Sequence, residues 1–317
     1  MPHREEPPVK DLLRIADLTE HDLAYLLDRA EHLKRHPGAA GDPLDGQTVL
    51  LYFAKPSTRT RVSTETAVVR LGGVPLTVGP AELQLGRGET IADTARVISS
   101  YAAAVVIRTF DHDDVAQFAR SAEVPVINAL TDSHHPLQAL ADLLTLREHF
   151  GDPRGRRLAY VGPATNVTHS LMEATALAGI SLAVATPDAY RPDPQVEAMA
   201  RKISTGGELL ITEDPYEAVR DADAVYTDVW LSMGDPQQEK AARIAALTPY
   251  RVTPGLMAAA ASGAIFLHCL PAHRGGEVAA EVIDGPASQV FLQAANRLPT
   301  AQAVLEALFG RTLAGAR

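Results

Sequence analysis

The segment Lys55-Pro56-Ser57-Thr58-Arg59-Thr60-Arg61 gathers three cations and three hydroxyls into seven residues, with no acid among them. Guanidiniums and hydroxyls at this spacing suit an oxyanion with several oxygens, phosphate first. A guanidinium offers paired donors, and a hydroxyl rotates to meet the nearest oxygen. The preceding run, Thr48-Val49-Leu50-Leu51-Tyr52-Phe53, reads as a buried parallel strand, and residues 62–71 read as a helix. The cluster therefore falls on a strand-to-helix turn. There, unpaired N–H groups and the positive end of the helix dipole favour an anion. The plainer alternative is a capped helix with solvated arginines, in which Ser57 or Thr58 is an ordinary N-cap.

Five further polar clusters follow apolar runs in the same way. They are Arg108; His134-His135-Pro136-Leu137-Gln138; Asn166 with His169; Asp228 with Ser232-Met233-Gly234; and His268-Cys269-Leu270-Pro271. Open parallel sheets bind ligands at the carboxyl ends of their strands. If two such sheets face each other, all six clusters line one interdomain cleft. Each cluster also has a bland reading. Arg108 could be a surface ion pair, His134 and His135 a helix start before Pro136, Asp228 a helix cap, and Cys269 a small buried hydrophobe. No H-x-x-E-H or C-x-x-C spacing supports a metal site. Gly86-Arg87-Gly88 lacks the third glycine of a dinucleotide fingerprint, and no G-x-x-x-x-G-K-[ST] occurs, so no cofactor is expected.

The elements that must position these residues can be read from the same pattern. Strands are expected at 48–54, 74–78, 104–107, 124–128, 158–161, 181–185, 209–212, 224–228 and 264–268, separated by helical or loop segments. Thr19 with Asp22, and Thr90 with Asp93, look like helix-opening capping boxes. Alternating strands and helices predict an α/β fold of two doubly wound parallel-sheet domains. The break is expected near Gly151-Asp152-Pro153, and one long last helix over about 293–313.

The chain has 317 residues, room for about two domains. Its net charge of −10 argues against nucleic acid or an anionic membrane as partner and makes a local cationic cluster more notable. A single cysteine, Cys269, allows no internal disulfide and suits a reducing compartment. The longest uncharged apolar stretch, near 255–267, falls short of the roughly 20 residues of a membrane span, and the first ten residues hold no apolar signal core. A cytoplasmic protein is expected.

Taken together, Ser57-Thr58-Arg59-Thr60-Arg61, Gly88-Glu89-Thr90 with Asp93-Thr94, His135-Pro136 with Gln138, Asp228 with Ser232-Met233-Gly234, and His268-Cys269-Leu270-Pro271 resemble the aspartate/ornithine carbamoyltransferases. The last two sets resemble the ornithine branch, and the likeness runs from about Asp11 to the final helix. The resemblance implies a carbamoyl phosphate-binding domain over 1–150, an ornithine-binding domain over 151–290, and a C-terminal helix, 291–317, returning to the first domain. It implies transfer of a carbamoyl group to the side-chain amine of L-ornithine, in arginine metabolism, without cofactor, metal or covalent intermediate. Ser57, Thr58, Arg59 and Thr60 would hold the phosphate, and Arg108 and His135 the carbonyl oxygen. Gln138, the Leu270 backbone and Arg297 would hold the carbamoyl nitrogen. Asn166, Asp228, Ser232 and Met233 would grip the α-amino and α-carboxylate groups of ornithine, with Cys269 and Asp228 by its reacting end. Gln84 would reach a neighbouring subunit's site in a homotrimer or a multiple of one. The chain departs from the usual pattern at Ala54, where an acid is usual, and at Gly162-Pro163-Ala164-Thr165.

Overall fold

The computed structural model describes residues 9–85, 87–231 and 240–310. The chain divides into two compact units. The first takes the residues through Leu144 together with those from Asn296 onward, and the second takes Thr145–Ala295.

In the first unit, β1 (Thr48–Phe53), β2 (Val74–Val78), β3 (Ala104–Arg108) and β4 (Val126–Leu130) form a parallel sheet in the order β2-β1-β3-β4. The apolar runs that announced them are its interior. Val49, Leu51, Val105 and Val106 have no exposed surface, as strands covered on both faces require. The helices are α1 (Glu20–Arg35), α2 (Arg59–Arg70), α3 (Ile91–Ser99), α4 (His112–Ser121) and α5 (Pro136–Phe150), the last of which crosses the boundary between units. Thr19 and Asp22 cap α1 reciprocally, and the Thr90 hydroxyl accepts from the Asp93 N–H at the start of α3. Leu50, Val105, Ile107 and Val126 meet Val115, Phe118 and Ala119 of α4 in one apolar cluster.

In the second unit, β5 (Arg157–Val161), β6 (Ser181–Ala185), β7 (Leu209–Thr212), β8 (Ala224–Thr227) and β9 (Ile265–His268) form a second parallel sheet, ordered β7-β6-β5-β8-β9. Its helices are α6 (Asn166–Leu177), α7 (Pro194–Ile203), α8 (Pro215–Val219), α9 (Lys240–Leu247), α10 (Pro254–Met257), α11 (Ala280–Ile283) and α12 (Val290–Ala295). All nine strands lie within two residues of their expected ends. Two doubly wound α/β units are thus present, as the alternation implied.

The single long last helix is corrected. It is two helices, α12 and α13 (Arg297–Gly310), with Asn296 between them. Pro299 supplies the reason. It has no N–H for the Ala295 carbonyl, and its ring would strike that carbonyl, so α12 cannot run on; in the first turn of α13 the same proline costs nothing. The break also marks the return of the chain to the first unit. There α13 lies against α1 and α2, held to α1 by a two-bond Arg29–Glu306 pair at 2.7 Å each and by Lys34 Nζ donating to Asn296 Oδ1 at 2.6 Å.

The chain ahead of α1 covers the edge of the first sheet. Leu12 N–H donates to the Val126 carbonyl, and Asn128 N–H donates back to Leu12, at 2.9 and 2.8 Å. The Asp11 carboxyl accepts from Val126 N–H at 2.8 Å, and burial raises its pKa to about 6 despite this bond and the nearby Lys10. The folded state therefore holds this proton more tightly than the unfolded chain. Unfolding free energy should fall as pH rises from about 4 to 6, by at most about 3 kcal/mol. In Asp11→Asn, urea unfolding at a series of pH values should lack that decline; a variant with the wild-type pH profile would contradict this role.

Candidate active site

Each sheet has one point where the strand order reverses, between β1 and β3 in the first and between β5 and β8 in the second. Outward-running connections separate there and leave a crevice at the carboxyl ends. In the first unit, Ser57–Thr60 follow β1 and Arg108 ends β3, in register with Phe53. Thr58 holds the N-cap position of α2, but its hydroxyl makes no capping bond, so the plain capped-helix reading fails for it. Arg59 opens α2. Arg61, two residues on, points to the outer side of the helix, where it is exposed and pairs with Glu65 at 2.9 Å. Lys55 pairs with Asp132. Of the three cations counted in the segment, Lys55 and Arg61 are thus paired with carboxylates, and Arg59 is the one that opens α2.

The adjacent histidines separate. His134 is buried edge-on to the His112 ring, centroids 4.9 Å apart, and its backbone is bound to Thr131. His135 is buried at the start of α5. Burial first, then the guanidiniums of Arg297, Arg108 and Arg59, push its pKa well below the usual 6.5. A cation among three cations and out of water is disfavoured, so the ring is neutral at pH 7. It can offer one N–H to an oxygen without adding charge.

Arg297, at the start of α13, organises this unit. Its Nη1 donates to Gln138 Oε1 at 2.7 Å and its Nη2 to Thr60 Oγ1 at 2.9 Å. Gln138 Nε2 donates on to Asp142 Oδ1 at 2.8 Å. The guanidinium has only donors, so it fixes the amide with oxygen toward itself and nitrogen toward the acid. Gln138 Oε1 keeps a second lone pair, and Thr60 keeps its hydroxyl proton. Asp142 was not anticipated, although its i,i+4 spacing from Gln138 within the apolar first half of α5 was a legible sign. Gln84 is exposed on the loop between β2 and α3.

In the second unit, Asn166 opens α6, directly after the Thr165 N-cap. Asp228 follows β8 and is buried. Thr165 Oγ1 donates to one oxygen of Asp228 at 3.1 Å, and the Cys269 thiol donates to the other at 3.0 Å. Asn166, Asp228 and Cys269 thus stand at the ends of the adjacent strands β5, β8 and β9. Gly162, with φ +139°, makes the β5–α6 turn; a Cβ there would come within 3.3 Å of Thr227 Oγ1. Tyr160 beneath it donates to the Pro163 carbonyl at 2.8 Å. Its pKa lies well above 10, from burial first and then the Asp228 carboxylate, so it remains a phenol. Ser232, Met233 and Gly234 lie outside the described residues.

Leu270 has φ +57°, a conformation that side chains disfavour, and its N–H is held by His268 Nδ1 at 2.9 Å. The other ring nitrogen of His268 faces Glu277 Oε1 at 3.3 Å. Burial alone would raise the pKa of Glu277, yet bonds from His268 and the His273 N–H lower it, so it is a carboxylate. Sequence gave no sign of Glu277, since no regular spacing ties it to the His268 turn. The ligand atoms of Asp228, His268 and Cys269 lie within 4.8 Å of one another. Both His268 nitrogens are engaged, however, so this trio lacks the open imidazole that a cation needs.

Residues 10–148 match the family profile described as aspartate/ornithine carbamoyltransferase, carbamoyl-P binding domain, and residues 154–308 that described as aspartate/ornithine carbamoyltransferase, Asp/Orn binding domain. The chain is 52% identical over 303 residues to the ornithine carbamoyltransferase of Acidothermus cellulolyticus, covering 95% of this chain and 96% of that one. It is 46% identical over 301 residues to that of Bacillus subtilis, covering 94% and 93%. The solved structure of ornithine carbamoyltransferase from Pyrococcus furiosus superposes with a TM-score of 0.91 at 45% identity, covering 96% of this chain and 97% of that one.

The electrostatics of His135 can be checked directly. Histidine-selective NMR should find this ring neutral at pH 6, and Arg297→Met should raise its midpoint toward 6.5 by removing the guanidinium with the largest influence. A wild-type midpoint near 6.5 would refute the convergence of charges.

Proposed function

The chain belongs to the aspartate/ornithine carbamoyltransferase family, and on that premise we propose how its residues divide the transfer of the carbamoyl group of carbamoyl phosphate to the side-chain amine of L-ornithine, giving L-citrulline and phosphate. The observation that carries the assignment is the buried His135 at the start of α5, whose charged form is disfavoured by burial and by the guanidiniums of Arg297, Arg108 and Arg59. An acyl phosphate brings its own negative charge, and attack by an amine places more on the carbonyl oxygen. Guanidiniums answer the first, and a neutral imidazole N–H with Arg108 answers the second. Preorganised donors of this kind are usually the largest catalytic term.

Ser57, Thr58, Arg59 and Thr60 bind the phosphate. Thr60 does so with its proton, since its oxygen already accepts from Arg297. Arg108 and His135 stabilise the oxyanion. Gln138, through its remaining lone pair, and the Leu270 carbonyl accept from the carbamoyl nitrogen, while Arg297 holds the Gln138 amide in the orientation this requires. Asn166, Asp228, Ser232 and Met233 bind the α-amino and α-carboxylate groups of ornithine, with Cys269 and Asp228 near the reacting amine. The pair already made by Cys269 and Asp228 supports a site preformed for a cation.

The δ-amine carries a proton at neutral pH, with an ordinary pKa of about 10.4. It loses that proton before attack, and the second proton, released from the same nitrogen as the tetrahedral intermediate collapses, goes to the departing phosphate, so no side chain is assigned as base. Attack is direct: the N–C bond forms, a tetrahedral oxyanion collapses, and the C–O bond to phosphate breaks. No covalent intermediate with the enzyme forms, because phosphate is already a good leaving group.

We further propose a cytoplasmic enzyme working as a homotrimer or a multiple of one, with Gln84 contributed to a neighbouring site. Val62 and Val69 on α2 are 57% and 60% exposed, and Val74 and Leu76 on the edge strand β2 are 58% and 50% exposed, which supports a covered apolar face there. Among the described residues no helix is long and apolar enough to cross a membrane.

Incubation with carbamoyl phosphate and L-ornithine should release phosphate and ureido product in equal amounts. Arg59→Ala should lower turnover by roughly 10²-fold or more while keeping the far-UV spectrum of the wild type; unchanged turnover would remove Arg59 from the site. Mixed oligomers of Arg59→Ala and Gln84→Ala chains should recover part of the activity, because some sites then take both residues from intact sources. A mixture no more active than its components would argue against sharing.

A further inference from the structure

Lys55 stands in the anion-binding turn by sequence, yet its ammonium is committed elsewhere. It pairs with Asp132 and lies 4.0 Å from the centroid of the Phe110 ring. These partners come from separate turns. Lys55 belongs to the turn between β1 and α2, two residues before Ser57. Phe110 follows β3, two residues after Arg108. Asp132 follows β4, three residues before His135. Backbone bonds join the same turns in pairs: Ala54 N–H to the Arg108 carbonyl at 2.8 Å, Thr109 N–H to Leu130 at 3.0 Å, and Asp132 N–H to Phe110 at 2.8 Å. Lys55 is the side chain that reaches from the first turn to both of the others.

We propose that Lys55 is a positioning residue, a latch through which the β1–α2 turn, the Arg108 turn and the His135 turn keep one mutual geometry, and that it is not itself a ligand of the phosphate. This rests on the carbamoyl phosphate assignment made above. The Lys55 side chain is 13% exposed, so its charge needs the compensation that the acid and the ring face supply. Asp132 is 63% exposed, and a pair with one partner so wet adds little to global stability. Its effect is on placement. Three turns must present an oxyanion site together, and shifts below an ångström in such a set lower affinity and rate.

The test is a cycle of Lys55→Met, Asp132→Asn and the double variant, with Lys55→Arg as the conservative replacement. Steady-state kinetics should show KM for carbamoyl phosphate raised about tenfold in Lys55→Met. Asp132→Asn should move it in the same direction, and the double variant should be no worse than the worse single one. Lys55→Arg, which can still meet both acid and ring, should recover most of the loss, and KM for ornithine should stay near wild type. A direct phosphate ligand would behave differently. Removing Asp132 would then leave KM unchanged or lower it, while Lys55→Met raised it. That result, additive effects, or an unchanged Lys55→Met would overturn the proposal. If the wild type releases no phosphate with ornithine, the functional assignment itself has failed. The latch is then read from calorimetric binding of inorganic phosphate, with the same pattern expected in Kd.

Discussion

The buried guanidinium of Arg297 is the constraint on which the first unit depends. It is 3% exposed, and a charge taken so far from water costs several kcal/mol unless its donors are met. Thr60 and Gln138 meet two of them, and each comes from a different helix: the first from the start of α2, the second from α5. The C-terminal helix therefore cannot be treated as a trailing element. Its first residue ties the start of α2 to the helix that follows His135. The break at Asn296, forced by Pro299, is what lets α13 begin where that residue is needed.

The same arrangement accounts for the state of His135. Three guanidiniums bear on one imidazole, and burial removes the water that would soften their repulsion. The ring gives up its charge, and the arginines keep theirs. The first unit thereby gathers guanidiniums around one neutral imidazole. In the second unit the buried charge is an acid: Asp228 accepts from Thr165 and Cys269. A convergence of guanidiniums in the first unit is something the net charge of −10 would not have suggested.

Much of this was legible in the chain. Strands announced themselves as apolar runs, and the polar clusters after them marked the carboxyl ends of the strands. The failures share one cause: sequence shows which residues are near in the chain and not which direction they face. Arg59 and Arg61 look equivalent in a list, but two helical positions apart they point to different sides, and only one remains in the turn. His134 and His135 look like a pair and serve different neighbours. Pro299 was in plain view, yet an apolar stretch through 290–310 reads as continuous unless the lost bond to Ala295 is counted. Glu277 could not be found at all, because a loop with no period brings it beneath His268.

Those failures also separate two kinds of residue that sequence lumps together. Residues that would touch substrate stand at strand ends, as the topology demands. Those that hold them, Asp142 behind Gln138 and Glu277 behind His268, are buried acids with bonded partners and no substrate to meet. A buried carboxyl persists in a protein only where its hydrogen bonds offset its desolvation. An acid of this kind, one residue removed from a strand-end donor, is therefore evidence that the donor's orientation matters. Gln138 shows why: without a fixed partner on each side its amide could turn over, exchanging an acceptor for a donor. Arg297 on one side and Asp142 on the other leave it a single orientation, so the direction of that amide is set by one group from α13 and one from its own helix.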